Sequence, residues 1–167
     1  MAVNRNKAHL VVLLEDQPYR AIVNGAKQML NVNEQVLDVK EPSGGWLKAF
    51  NELESYHDFI ANNIYMHVLL LIDFDHQFTS RKQKFVESFK DCPYEQRVFL
   101  LGIDQKQSED LKRYMGRAHY EAIGKALVEH CPDHTAITAW RNTHLECNLP
   151  EIERMRSVGV FSWLFNS

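Results

Sequence analysis

The chain has 167 residues, of which 45% are hydrophobic and 25% charged, with a formal net charge of −3 at pH 7. That balance fits one globular domain able to bury a core, and it excludes disordered and fibrous classes. It also excludes a globally basic nucleic-acid binder, so phosphate contacts would have to come from a local basic strip or a partner.

Cys92, Cys131 and Cys147 are odd in number, widely spaced and form no Cys-x-x-Cys pair. They read as reduced thiols of a cytoplasmic protein rather than a disulfide framework or zinc knuckle. Residues 1–7 carry no signal-peptide core. The longest apolar runs, 10–14 and 68–72, fall far short of the roughly 20 residues a membrane-spanning helix needs. The expectation is a soluble, non-secreted protein without a membrane partner.

In chain order, residues 9–14 form an uninterrupted apolar run ending at Glu15 and Asp16, the pattern of a strand buried on both faces. Asp16, Gln17 and Pro18 read as a helix start, and Tyr19, Ile22, Val23, Ala26 and Leu30 recur at helical spacing to residue 31. Weak alternation predicts a short strand over 35–39. The break at 41–45 contains Gly44 and Gly45, and an amphipathic helix over 46–62 follows. A second long apolar run, 67–72, ends at Asp73-Phe74-Asp75. Residues 80–90 read as a helix, 98–103 as a strand ending at Asp104, and 109–131 as a long helix with a break at Gly116 or Gly124. Helices over 135–145 and 150–156 and an apolar tail over 158–165 complete the chain. The fold expected is α/β and Rossmann-like, with a mainly parallel four-stranded central sheet flanked by helices. One domain spans 1–167: an α/β core over 8–112, then a helical extension and apolar C-terminal segment over 113–167.

Acids at the carboxyl ends of parallel strands collect on one edge of the sheet, where open α/β folds bind ligands. Alternation along an extended chain turns Asp73 and Asp75 the same way and Phe74 the other. Two adjacent carboxylates repel unless a cation lies between them, and Glu15 adds a third oxygen donor from the first strand. Each acid alone is also an ordinary strand terminator; the three together point to a metal site. Gly44 and Gly45 open a helix whose amides could meet a phosphate, and equally form an ordinary turn. His76 lies close enough to the acid pair to touch a metal or relay a proton, whereas His67, at the start of a buried strand, reads as structural. His130, Cys131 and His134 cluster without completing a zinc set.

These residues resemble the Toprim domain, in which a glutamate follows the first strand and an Asp-x-Asp follows the third. Glu15 and Asp73-Phe74-Asp75 occupy those places. The glycine pair before Trp46, and a fourth strand followed by Ser108-Glu109-Asp110-Leu111, are similar to the OLD (overcoming lysogenization defect) nuclease branch. The likeness covers residues 8–112. One departure stands out: the family glutamate is usually followed by a small residue, and Asp16 follows here, either joining a metal shell or capping the helix. The resemblance implies a magnesium- or manganese-dependent nuclease or related phosphotransferase. In it Glu15 serves as general acid/base or metal ligand and Asp73 and Asp75 as metal ligands. Glu109 or Asp110 supplies a second-metal ligand, and Arg81 and Lys82 contact phosphate.

Three functions follow as expectations. The first is a stand-alone Toprim nuclease on DNA or RNA; no Walker A motif is present, so a protein partner would supply ATPase or targeting functions within a nucleic-acid-processing or defence complex. The second is a non-catalytic Toprim-like interaction module, suited to the modest acidity and apolar tail. The third is a PIN-like metal nuclease, in which the first-strand acid is normally an aspartate.

Overall fold

A computed structural model describes residues 2–106, 109–117, 119–129 and 137–166. The apolar runs become strands β1 (His9–Leu14), β3 (Met66–Asp73) and β4 (Val98–Ile103), joined by the short β2 (Leu37–Val39). All pair in parallel, in the order β2-β1-β3-β4. The connections after β1 and after β3 run toward opposite edges of this sheet, so the direction of winding reverses between β1 and β3. The crevice at their carboxyl ends is the topological switch point at which such sheets bind ligands.

The uninterrupted hydrophobicity of β1 and β3 follows from burial on both sides. Leu10, Val12, Leu14, Leu69, Leu71, Phe99 and Leu101 enter one core. Val11, Leu13, Val68, Leu70, Ile72, Val98 and Leu100 enter the other. The first core is closed by α1 (Gln17–Lys27), α6 (Tyr120–Glu129), α7 (Leu149–Ser157) and α8 (Phe161–Leu164), and the second by α2 (Trp46–Glu54), α3 (His57–Asn62) and α4 (Phe78–Phe89). The described helices after 112 therefore pack into the sheet's own core rather than standing apart from it.

Several boundaries differ from those expected. The helix over 46–62 is two helices, α2 and α3, parted at Ser55 and Tyr56. The stretch after 109 does break at one of the two glycines expected: α5 (Asp110–Met115) and α6 are parted at Gly116, whose φ of 61° ends α5 in the left-handed conformation that glycine accepts at low cost. The helix expected over 135–145 is, in its described part, a single 3-10 turn, Ile137–Trp140. The tail is the short α8, and beyond it Phe165 bridges Val32. His130, Cys131 and His134 lie outside the described residues. Among those described, no helix is long and apolar enough to cross a membrane.

β4 lies at one end of the strand order, with backbone groups open to a further strand. Three side chains at helical spacing cover them. Asn148 accepts from the Gly102 amide at 2.9 Å and donates to the Gly102 carbonyl at 2.7 Å. Glu151 accepts from the Leu100 amide at 3.0 Å, and Arg154 donates to the Val98 carbonyl. Burial and the neighbouring Arg154 and Lys82 act oppositely on Glu151, and the cations prevail, holding its carboxyl below the ordinary range. Asn148 is 1% exposed, so Asn148→Ala strands a buried amide and a buried carbonyl. A loss of about 2 kcal/mol in urea unfolding is expected, and a loss below about 0.5 kcal/mol would show that this edge does not depend on the cap.

His67 is structural, as expected. Its ring stacks on Phe99 and tilts against Trp163, 5.0 Å between centroids, and burial lowers its pKa so that it stays neutral.

Candidate metal centre

β1 and β3 are in register through Leu14↔Leu71, which sets Glu15 beside the end of β3. The amide of Asp73 donates to Glu15 Oε2 at 2.6 Å, so backbone pairing continues through a side chain where the strands part. Asp16 follows at the N-cap of α1, with extended backbone and no capping hydrogen bond from its side chain. Glu15, Asp16 and Asp73 each bring a carboxylate oxygen within 4.8 Å of the others. Asp16 stands where both roles meet: its carboxylate lies with the other two acids, and while burial raises its pKa the Tyr19 amide of α1 lowers it. Asp16 Oδ1 is buried without a hydrogen-bond partner, which is uncommon for a buried polar atom.

Electrostatics carry the same signature. Burial, followed by the charges of Asp73, Asp16 and Asp75, pushes the Glu15 carboxyl from its ordinary 4.5 up to about 7, against the lowering effect of the Asp73 amide. Burial and then the charge of Asp73 raise Asp16. Burial also raises Asp73, although hydrogen bonds from Tyr19 and Gln105 oppose it.

Those two donors could not be singled out from sequence. Tyr19 is buried on the inner face of α1; its hydroxyl donates to Asp73 Oδ1 at 2.6 Å and accepts from the Ile103 amide at 3.3 Å. Burial, and after it the charge of Asp73, holds the phenol proton in place. Gln105, 3% exposed just beyond β4, donates to the same oxygen at 3.4 Å and accepts from the Leu111 amide at 3.1 Å. Tyr19 reads as one more apolar residue of a helix face, and Gln105 as a loop residue. Only the two-residue offset of Gln105 from the end of β4 hints at its position.

The second acid of the pair departs from the expected arrangement. Phe74 is fully buried as alternation requires, but Asp75 and His76 take left-handed φ of 47° and 57°. Extended geometry therefore ends at Asp73, and Asp75 does not point with it. His76 is held at this turn by Asp104, which accepts its amide at 2.8 Å. Its ring nitrogen also lies 3.4 Å from Asp104, so His76 leans on Asp104 rather than on the three acids. Asp75 pairs with Arg81 at 3.0 Å. Arg81 also donates to the Asp73 carbonyl, lies under the Trp46 ring at 4.3 Å, and has a side chain 5% exposed. Arg81 thus fastens the turn and is too enclosed to reach a phosphate.

The other expected phosphate contacts are likewise committed elsewhere. Lys82 pairs with Glu151 at 2.9 Å. The amides of Gly44 and Gly45 donate to the Glu15 carbonyl at 2.8 and 3.2 Å. Their φ of 87° and 152° curl the loop inward to do so, a geometry suited to glycine. The pair anchors the backbone of Glu15 to the start of α2. Glu109 pairs with Lys112 at 3.3 Å and Asp110 with Arg113 at 3.6 Å, both within the first turns of α5. Among the described residues neither joins the group of acids that could hold an ion.

The arrangement offers hard oxygen donors, one proton poised near neutrality, and oriented neutral donors behind Asp73. Comparison of the chain with protein-family profiles, curated proteins and solved structures found no match in any of the three.

Proposed function

We propose that Glu15, Asp16 and Asp73 form a divalent-cation centre and that the chain is a magnesium- or manganese-dependent phosphodiester-cleaving enzyme, a nuclease of Toprim type acting on DNA or RNA. The supporting observation is the convergence of three carboxylates at the switch point with Asp16 Oδ1 buried and unpartnered. Like charges gathered this closely raise one another's pKa unless a cation compensates them. Arg81 pairs directly with Asp75; its charge also lowers Asp73, but burial prevails there and the Asp73 carboxyl stays raised. An all-oxygen donor set suits magnesium or manganese better than metals that favour sulfur or imidazole.

A bound cation supplies Lewis acidity toward a phosphoryl oxygen and a more acidic water. Asp16 and Asp73 provide oxygens to hold it. Glu15, whose carboxyl lies near 7 without a cation, would be a carboxylate beside one, able to join the ligands or to accept a proton from water. Tyr19 and Gln105 fix the orientation of Asp73 from behind, the service that outer-shell donors give a ligating carboxylate.

Manganese titration by electron paramagnetic resonance, with nicking of plasmid DNA and cleavage of RNA, tests the reading. A cation displaces the Glu15 proton, so affinity should rise between about pH 6 and pH 8, with proton release on binding. Cleavage should require the ion. No uptake of manganese or magnesium at either pH would end the metal reading. Uptake without cleavage of either nucleic acid would favour a non-catalytic interaction module.

A further inference from the structure

A groove lies beside the start of α1, next in sequence to Asp16. Gln17 and Pro18, which directly follow Asp16, form one wall; Lys112 of α5 with His119, Tyr120 and Glu121 at the start of α6 form the other, around a cavity of about 340 Å³. Two connections tie it to the acids. Gln105 donates to Asp73 and accepts from the amide of Leu111, the residue before Lys112. The Tyr120 phenol is near enough to feel them: its pKa is raised by burial first, then by the charges of Glu109, Asp73 and Asp16.

The basic side chains of this groove can meet an anion. His119 is exposed. The Lys112 ammonium lies 5.0 Å from the centre of the Tyr120 ring and 3.3 Å from the Glu109 carboxylate, which is 66% exposed. So exposed a pair is weak, and a phosphate can displace Glu109 at little cost. Along a nucleic-acid strand phosphates recur at a short, regular interval, and contacts to them set register on the protein.

We propose that this groove binds the phosphate next to the one held at the acid cluster, so that the ligand is a polynucleotide rather than a phosphomonoester or a free nucleotide. The inference rests on the metal-centre reading above. Lys112 supplies the charge, His119 a second donor, and Pro18 and Tyr120 the flat walls that accept a sugar or base edge. A ligand with a single phosphate reaches only the acid cluster.

Fluorescence anisotropy with a labelled single strand of about 12 nucleotides, as DNA and as RNA, tests this in manganese and, to separate binding from turnover, in calcium. The Lys112→Ala, His119→Ala double variant should bind about tenfold more weakly, with a slope of log affinity against log salt shallower by about one or two. Lys112→Arg, which keeps the cation, should preserve the slope. Manganese titration of each variant checks that the acids remain assembled. Unchanged oligonucleotide binding by the double variant overturns the groove, as does a wild-type chain that takes up manganese but no oligonucleotide. A wild-type chain that takes up no manganese removes the metal reading and the groove together.

Discussion

Asp73→Asn should abolish the thermal stabilisation that manganese gives the wild-type chain while leaving the metal-free fold intact. An ion at one hundred times its Kd stabilises a folded protein by about 2.7 kcal/mol, or roughly 5–10 °C for a chain of this length. Asparagine keeps an Oδ1 that can accept from Tyr19 and Gln105, so both hydrogen bonds to the side chain can persist. The contact from the Asp73 amide to Glu15 belongs to the backbone and is untouched. What disappears is the charge. Affinity for manganese should fall by about a hundredfold or more, since even outer-shell changes cost ten- to a hundredfold at metal sites. Asp16→Asn gives the companion result. Without metal, Glu15 keeps in the fold a proton that the unfolded chain releases, because its pKa is raised from 4.5 to about 7. Its contribution to stability is therefore full below about 4.5 and is lost as pH rises through about 7. Removing the Asp16 charge relieves part of that loss. The variant should be more stable than wild type by on the order of 1 kcal/mol near pH 8, with the gap closing toward pH 5, and should bind manganese less well. Equal manganese stabilisation of wild type and Asp73→Asn in a scanning calorimeter would refute the assignment of Asp73 as a ligand.

The strands and the collection of acids were legible in the residues because both depend on short-range rules. A strand covered on both faces has no polar positions, so β1, β3 and β4 appear as unbroken apolar runs, and parallel pairing brings their carboxyl ends to one edge. That logic locates Glu15 and Asp73. It fails at Asp75, because alternation holds only while the backbone stays extended. The turn at Asp75 and His76 is set by Asp104, 28 residues after His76 in sequence, which captures the His76 amide. Arg81 misleads for a similar reason: in sequence it is a cation just past two acids, and only the placement of Trp46 above it reveals a buried clasp. Tyr19 and Gln105 gain their roles from register between strands, which no local pattern encodes. The split of the helix expected over 46–62 was hidden because buried apolar residues stand on both sides of the break, Phe50 and Leu53 before it and Ile60 after it. At Gly116, by contrast, the residue type itself announces the end of α5.

Gly124→Ala sets two effects of opposite sign against each other and should destabilise the protein substantially. In an exposed helix interior the substitution favours folding by about 1 kcal/mol. In α6 the added Cβ would lie 1.8 Å from the carbonyl oxygen of Ile22 on α1, and Gly25 faces the same crossing, its Cβ meeting the carbonyl oxygen of Glu121 at 1.9 Å. Both obstacles are backbone, so no rotamer change relieves them and the two helices must separate. Overpacking of this kind costs about 1–3 kcal/mol and sometimes more. A backbone clash this close belongs at the upper end of that range, so after the propensity gain a net loss of about 2 kcal/mol, roughly 4–8 °C in melting temperature, is expected. The consequence reaches the site, because Asp16 is the N-cap of α1 and α6 begins at Tyr120. Spreading the pair moves the carboxylate of Asp16 away from Glu15 and Asp73, so manganese affinity should fall as well, although no ligand has been changed. Gly116→Ala is the contrasting case: nothing lies within 4 Å of its added Cβ, and only the left-handed φ of 61° opposes it, at a cost of about 1 kcal/mol. Urea unfolding of the two variants with manganese titration separates the mechanisms. If Gly124→Ala were no less stable than Gly116→Ala and bound manganese like wild type, close approach of α1 and α6 could not be what holds Asp16 among the acids.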